Sequence, residues 1–392
     1  MPKNIVFCAD GTWEGPGRDD DKDPPLSNVF KLFVNLAGVD SIEDLSRQNE
    51  QERMLNVGGE LRQAAKYMHG VGDSTNFLVK MLGGTLGTGL VARILRGYTF
   101  VSRNYVAGDK IFLVGFSRGA YTARALAGMI CAKGLLDASA QDLTDKHEAY
   151  RRAAALWYDY RKIAIVDTGK SGWLDAFERT IVDLPGFFSR PATAPRIAEV
   201  PIEAVAVLDT VGALGIPLYA VADDARIDAL QFCNSALNKK VKKGLHGVSL
   251  DEHRSDFTPT LWDPDPQNPQ RIYQVLFPGS HADVGGGYRL DECRLADGAL
   301  QWLTQELAAL GVVFDGTPRY VAAPDPKGVA HEPSSHPPFN LGRTITRQFA
   351  PDMPIHRSID ARRNGGPVVP DPGRSPALYA PPNVPRNGRI VA

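Results

Sequence analysis

Ile111-Phe112-Leu113-Val114-Gly115-Phe116-Ser117-Arg118-Gly119-Ala120 joins an apolar run to Gly-x-Ser-x-Gly, and a helical pattern follows at once. Asp109 closes a turn before it. Ile111–Val114 read as a buried strand, and Ala120–Ile130 read as a small-residue helix able to pack closely under a sheet. The sequence form is a strand–turn–helix with a serine at its tip. The turn is sharp, so the serine takes a strained backbone conformation and its hydroxyl stands above the sheet. Gly115 and Gly119 lack Cβ atoms, which lets strand and helix crowd together around it. The free N–H groups of the following helix then point at whatever sits over the serine.

Composition bounds the rest. The chain has 392 residues, 43% hydrophobic and 23% charged, with a net charge of −1. It suits a globular protein with one large or two ordinary domains, and bulk attraction to nucleic acid is not expected. The four cysteines (Cys8, Cys131, Cys233 and Cys293) lie far apart with no Cys-x-x-Cys pair. Reduced buried thiols are expected, and a metal site is not. The apolar run at the start is too short for a signal-peptide core, and no stretch is long enough to cross a membrane as a helix. A cytoplasmic protein is expected, with a dedicated export route if it acts elsewhere.

Outward from the serine, the pattern alternates strands and helices. Asn4–Ala9 reads as a buried strand, Val29–Leu36 as a short helix, and Met54–Val57 as another strand. Val91, Ile94, Leu95, Tyr98, Val101 and Tyr105 mark an amphipathic helix. Gly83–Gly89 precedes it. Its glycines are in the wrong order for a dinucleotide site, so a tight loop is the better reading. Arg18–Asp23 reads as a solvated acidic loop. Residues 137–200 hold a helix over Asp142–Ile163 and an aromatic, Pro-broken stretch around Trp173, Phe187 and Phe188. This insertion reads either as a cap over a site or as an ordinary packed helical layer. Ala204–Leu208 and Ile272–Phe277 read as strands, and Leu295–Leu310 as an amphipathic helix. Lys239, Lys240, Lys242 and Lys243 read as a solvated helix face, with phosphate headgroups the less favoured use. From Pro318 onward the chain carries 15 of its 29 prolines. The domains expected are therefore 1–317 and an irregular segment, 318–392, wrapping the first or partly mobile.

Acyl transfer by a serine needs a base, an acid to orient it, and donors for the oxyanion. Ser117, Asp209 and His281 each follow an expected strand, where an open parallel sheet collects ligands. Their chain order is that of an α/β-hydrolase-like, mostly parallel sheet flanked by helices. The long gap between Ser117 and Asp209 has room for the helical cap. Asp209 could instead cap a helix. Several other histidines lie in polar or Pro-rich stretches, where a surface position is the default, whereas His281 sits between a buried strand and Gly285-Gly286-Gly287. Asp283 could orient His281 locally, but a neighbouring strand end places Asp209 better. The N–H of Arg118 is the expected first oxyanion donor, and the turn at Gly11 and Thr12 the second, braced by Asp10 or Thr12. The Arg118 side chain could bind a phosphate or carboxylate, or pair with Asp10; the structural role is favoured slightly. No cofactor is needed. A fold that has kept its shape but lost its reaction is the alternative.

Several segments together carry a resemblance. They are Cys8-Ala9-Asp10-Gly11-Thr12-Trp13, Tyr67-Met68-His69-Gly70-Val71-Gly72, Gly115–Arg124, Asp209-Thr210-Val211-Gly212, Leu250-Asp251-Glu252-His253-Arg254 and Phe277–Tyr288. From about residue 4 to about 310 the chain resembles the family that includes the Tle1-type phospholipase effectors of the bacterial type VI secretion system. The resemblance implies a triad of Ser117, Asp209 and His281. It also implies ester hydrolysis, with a phospholipid or other ester as substrate, peripheral contact with a membrane, and a secretion-apparatus or immunity protein as partner.

Overall fold

The computed structural model describes residues 2–11, 25–40, 50–69, 86–168, 194–211, 235–337 and 339–392. Strand β1 (Asn4–Ala9) is buried along its whole length, as expected of an apolar run covered on both faces. It pairs in parallel with β4 (Glu60–Met68) on one side and β5 (Lys110–Phe116) on the other. From β5 the parallel ladder runs on through β8 (Ile202–Leu208), β9 (Val241–Ser249), β10 (Ile272–Phe277), β11 (Ile355–His356) and β12 (Ile390–Val391). Beyond β4 the antiparallel strands β3 (Glu50–Val57) and β2 (Val39–Asp40) complete a ten-stranded sheet. The chain leaves β1 for one neighbour and returns to the other, so the strand order reverses beside β1. An open α/β sheet forms its ligand crevice at such a reversal, outside the carboxyl ends of the strands.

Alternate residues of the central strands feed two cores. Ile5 and Phe7 of β1 and Leu113 of β5 face a layer of α2 (Leu86–Asn104), α3 (Arg118–Lys133) and α4 (Lys146–Thr168). Val6, Cys8, Val114 and Phe116 face α1 (Asn28–Val34) and α6 (Arg294–Ala309). Helix α1 opens on Ser27, whose side chain accepts from the Phe30 N–H at 3.0 Å. All of α1 is buried, Lys31 included. The Lys31 ammonium sits 3.3 Å from Asp297 of α6 and over the Tyr320 ring.

Four readings need adjustment. The lysine cluster is not a helix face: β9 begins at Val241, and Lys240 and Lys242 pair with Glu199 and Glu203. The run is extended because parallel ladders hold β9 between β8 and β10, and its two glycines lie where side chains press in. A Cβ on Gly244 would lie 2.9 Å from Leu237, and one on Gly247 would lie 2.8 Å from Leu208. Strand β9 also separates β8 from β10, so Asp209 and His281 are not on adjacent strands. The tail is not purely a wrapper. It adds β11 and β12 to the main sheet, and Met353, Ile355 and Ile359 of α7 (Arg357–Asn364) to a small core with Val248 and Leu276. Two histidines of this tail, His331 and His356, are buried despite their Pro-rich surroundings.

In the expected cap, Ala149, Ala153, Leu156 and Trp157 of α4 join the core against α2 and α3. Strands β6 (Leu135–Leu136) and β7 (Arg196–Ile197) pair antiparallel and draw the two ends of the insertion together. Its aromatic stretch, 169–193, lies outside the described residues, as do the acidic loop 18–23 and residues 83–85 of the glycine-rich loop. Gly87 and Gly89 belong to the first turns of α2. Cys8, Cys131 and Cys293 are free and buried.

Candidate active site

Ser117 sits between β5 and α3 with φ 56° and ψ −123°. Only two non-glycine residues among those described have a positive φ, and the other is Asp209. Such a conformation costs of order 1–3 kcal/mol and persists only where its surroundings enforce it. Here the enforcement is steric. A Cβ on Gly115 would lie 2.5 Å from the Gly119 carbonyl, and one on Gly119 would lie 2.0 Å from the Ala9 carbonyl. The two motif glycines therefore let the start of α3 press against the end of β1. The Ser117 N–H donates to the Leu208 carbonyl at 3.1 Å, tying the turn to the end of β8.

Asp209 follows β8 and is fully buried. Its Oδ2 lies 2.6 Å from His281 Nδ1. Its Oδ1 accepts from the Ser249 N–H at 3.0 Å, at the end of the intervening strand β9. The Arg347 guanidinium completes its shell, with Nη1 2.7 Å from Oδ1 and Nη2 3.0 Å from Oδ2. Burial works to raise the Asp209 pKa, but Arg347 and His281 outweigh it and hold the carboxyl well below the usual range.

His281 opens α5 (His281–Gly285), whose N-cap Ser280 forms a reciprocal capping box with Asp283. The imidazole lies between two rings, Phe116 at 4.6 Å and Phe257 at 5.0 Å. Phe116 immediately precedes Ser117, so this packing sets the histidine beside the serine turn. Gly285 is required by the same packing, since a Cβ there would lie 1.9 Å from the Phe116 ring. The His281 N–H donates to Glu252 at 3.2 Å, and Glu252 is itself held by a two-pronged contact with Arg254. Burial lowers the His281 pKa, against the opposing pull of Asp209.

Asp283 is not the carboxylate that pairs with the His281 ring. It accepts from the Ser280 N–H at 2.9 Å and pairs with His331 at 2.7 Å. His246, beside Asp209, accepts from the Thr210 N–H through Nε2 at 3.0 Å. Burial pushes its pKa down to about 3, which keeps it neutral.

At the end of β1, Asp10 accepts from Ser27 at 2.5 Å, from Tyr67 at 2.6 Å and from the Gly11 N–H at 2.7 Å. Burial pushes its pKa up to about 6 against these hydrogen bonds. Asp10 thus braces the turn, and the Gly11 N–H is engaged by it in this state. Thr12 lies outside the described residues. Arg118 occupies the first helical position of α3.

Sequence reasoning singled out Ser117, Asp209, His281, Arg118 and Gly11, all at the carboxyl ends of parallel strands. Arg347, Ser249, Phe257 and the Glu252–Arg254 pair it missed as parts of one site. Glu252 and Arg254 lie in a segment noticed for its pattern, but Arg347 sits in a stretch with no local signal. Among the described residues, no group of three or more His, Cys, Asp or Glu could hold a metal ion.

Comparison with known proteins adds a family. The model of the type VI secretion phospholipase effector Tle1-like catalytic domain matches residues 3–306. An uncharacterized protein of Saccharomyces cerevisiae is 30% identical over 268 residues, covering 68% of this chain and 34% of that protein. A crystal structure of an uncharacterized protein from Pseudomonas aeruginosa aligns at 18% identity and a TM-score of 0.38, over 80% of this chain and 47% of that one. The Tle1 effector bound to the VgrG spike of the type 6 secretion system aligns at 16% identity and a TM-score of 0.34, over 74% of this chain and 51% of that one. The chain spans about a third to half of the length of these relatives.

Proposed function

The chain belongs to the family of Tle1-like catalytic domains of type VI secretion phospholipase effectors, and from that premise we propose that it is a serine hydrolase of carboxylic esters acting on phospholipids. The observation that carries this reading is the strained Ser117 turn standing over the same strand ends as the 2.6 Å His281–Asp209 pair.

In the proposed reaction His281 Nδ1–H donates to Asp209, which leaves Nε2 as the basic nitrogen. Nε2 takes the Ser117 hydroxyl proton as Oγ bonds to the acyl carbon. The carbonyl oxygen gains the negative charge and accepts from the Arg118 N–H at the start of α3. His281 then returns the proton to the leaving alkoxide, and the ester C–O bond breaks to leave an acyl-Ser117. Water, deprotonated by His281, releases the fatty acid and restores the serine. The second oxyanion donor is assigned to the turn at Gly11 and Thr12. For Gly11 this means exchanging its hydrogen bond to Asp10 for one to substrate. The partners are an ester or phospholipid at a membrane surface and, through the family, a component of the secretion apparatus.

The test is a panel of short-chain esters and phospholipid vesicles with wild type beside Ser117→Ala. Ser117-dependent release of fatty acid is expected. Equal hydrolysis by both proteins would refute the reading. A catalytically silent member of the fold would show no hydrolysis and no labelling of Ser117 by a fluorophosphonate.

A further inference from the structure

The carboxylate that orients His281 is fully buried, and it is held by a residue far along the chain. We propose that Arg347, delivered by the segment that follows the family-matched region, is a positioning residue of this active site. It locks the Asp209 carboxylate in the plane and charge state that His281 needs. This rests on the reading of Asp209 and His281 as orienting acid and base.

Four donors fill the two oxygens of Asp209. Oδ1 takes the Ser249 N–H and Arg347 Nη1, and Oδ2 takes His281 Nδ1 and Arg347 Nη2. A carboxylate with both oxygens engaged from two sides has one rotational setting, and so therefore has the imidazole bound to it. The guanidinium is fixed in turn. Nη1 also donates to the Ser249 carbonyl at 2.7 Å, and Nη2 to the Phe257 carbonyl. Arg347 is 3% exposed, so its fork acts in a region of low dielectric, where bidentate pairing is strongest. The backbone that delivers it is laced to the loop after β9. Ile345 N–H donates to the His253 carbonyl at 2.7 Å, and Ser255 N–H to the Arg343 carbonyl at 3.0 Å. Asn383 donates to the carbonyls of both Leu250 and Arg347. Phe257, whose carbonyl Arg347 binds, packs on the His281 ring. One arginine thus braces both the acid and a wall of the base.

Charge gives this arrangement a consequence that packing alone would not. With the guanidinium present, the Asp209 charge is largely neutralised, so it does not hold His281 as a buried imidazolium. Glu252, which favours the protonated imidazole, and Arg254, which opposes it, face the ring in either case. Without Arg347 the unscreened Asp209 therefore tips the balance toward protonation, and the base becomes available only at higher pH. A lysine restores the charge but not the planar fork.

The test measures the rate of fluorophosphonate labelling at Ser117, and kcat and KM on a soluble short-chain ester, across pH. Each is expressed per folded molecule for wild type, Arg347→Met, Arg347→Lys and Ser117→Ala. Arg347→Met is expected to lose about 100-fold in labelling rate, the cost of a misplaced catalytic group. Its acid limb should move up by about one pH unit while KM stays within about threefold. Arg347→Lys is expected to keep the wild-type limb at an intermediate rate. Wild-type labelling per folded molecule in Arg347→Lys, or an unmoved limb in folded Arg347→Met, would overturn the proposal. If Arg347→Met does not fold, the lysine variant alone decides. Wild type that is never labelled at Ser117 would instead refute the hydrolase reading.

Discussion

Ser117 and Asp209 share an unusual property: both are L-residues held at positive φ, at the ends of paired strands β5 and β8. Strain of this kind is stored where a side chain must be aimed. If Ser117 is the nucleophile proposed above, Ser117→Ala is expected to lower kcat by about 10⁴-fold or more, with the fold intact by circular dichroism. Asp209→Asn should act in two ways. The amide lets the imidazole take the wrong tautomer, at about 10⁴-fold in kcat. It also leaves the buried Arg347 without its counter-charge, so denaturant titration should show a loss of about 3–5 kcal/mol. The pH dependence follows from the same groups. In the proposed mechanism His281 must be neutral to accept a proton, and burial lowers its pKa. The acid limb of kcat/KM should therefore lie below the ordinary histidine value of about 6.5. Asp209 is held below its unfolded value of about 3.9, so its stabilising contribution is complete above that pH. It is lost as pH falls through the lower folded value. An acid-unfolding profile unchanged in Asp209→Asn would contradict this.

At the scale of elements, the Gly-x-Ser-x-Gly turn is a contact between α3 and β1 as much as a feature of β5. Gly119→Ala is expected to drive a methyl into the Ala9 carbonyl, 2.0 Å from the ideal Cβ position. The backbone must shift, at a cost of about 1–3 kcal/mol and most of the activity. Thermal melting and ester turnover would both report it; an active variant of wild-type stability would show that the turn has slack. Helix α1 offers a second test. Lys31 and Asp297, both fully buried, tie it to α6. Lys31→Met should strip Asp297 of its buried ammonium, leaving it Tyr320, the Ala323 N–H and the more exposed Arg294, at a cost of about 1–3 kcal/mol. Local patterning located β1, part of β3, β5, β8 and β10 with helices α1 to α4 and α6, but not β4, β9 or the short strands. Strand β9 escaped because Gly247 answers to Leu208 and Phe277, neighbours that no local window contains.

At the scale of the molecule, the family-matched region is not a closed unit. Residues beyond it add β11 and β12 to the sheet, His331 to Asp283 and Arg347 to Asp209. A chain ending at residue 317 should therefore lose both solubility and turnover, and limited proteolysis of the full chain should leave this tail largely uncut. Rapid trimming to an active core would show the reverse. What the sequence determined by itself was local in origin. An apolar run, two glycines and a serine specify the turn, and three short strands specify which ends carry Ser117, Asp209 and His281. What only the tertiary structure decided was the company those residues keep. The intervening β9, the hold of Ser27 and Tyr67 on Asp10, and the guanidinium on Asp209 join positions as much as 138 residues apart. The reason is physical. A turn is written by the conformational limits of adjacent residues, whereas the partner of a buried charge is chosen by desolvation, which acts only after the chain has closed around it.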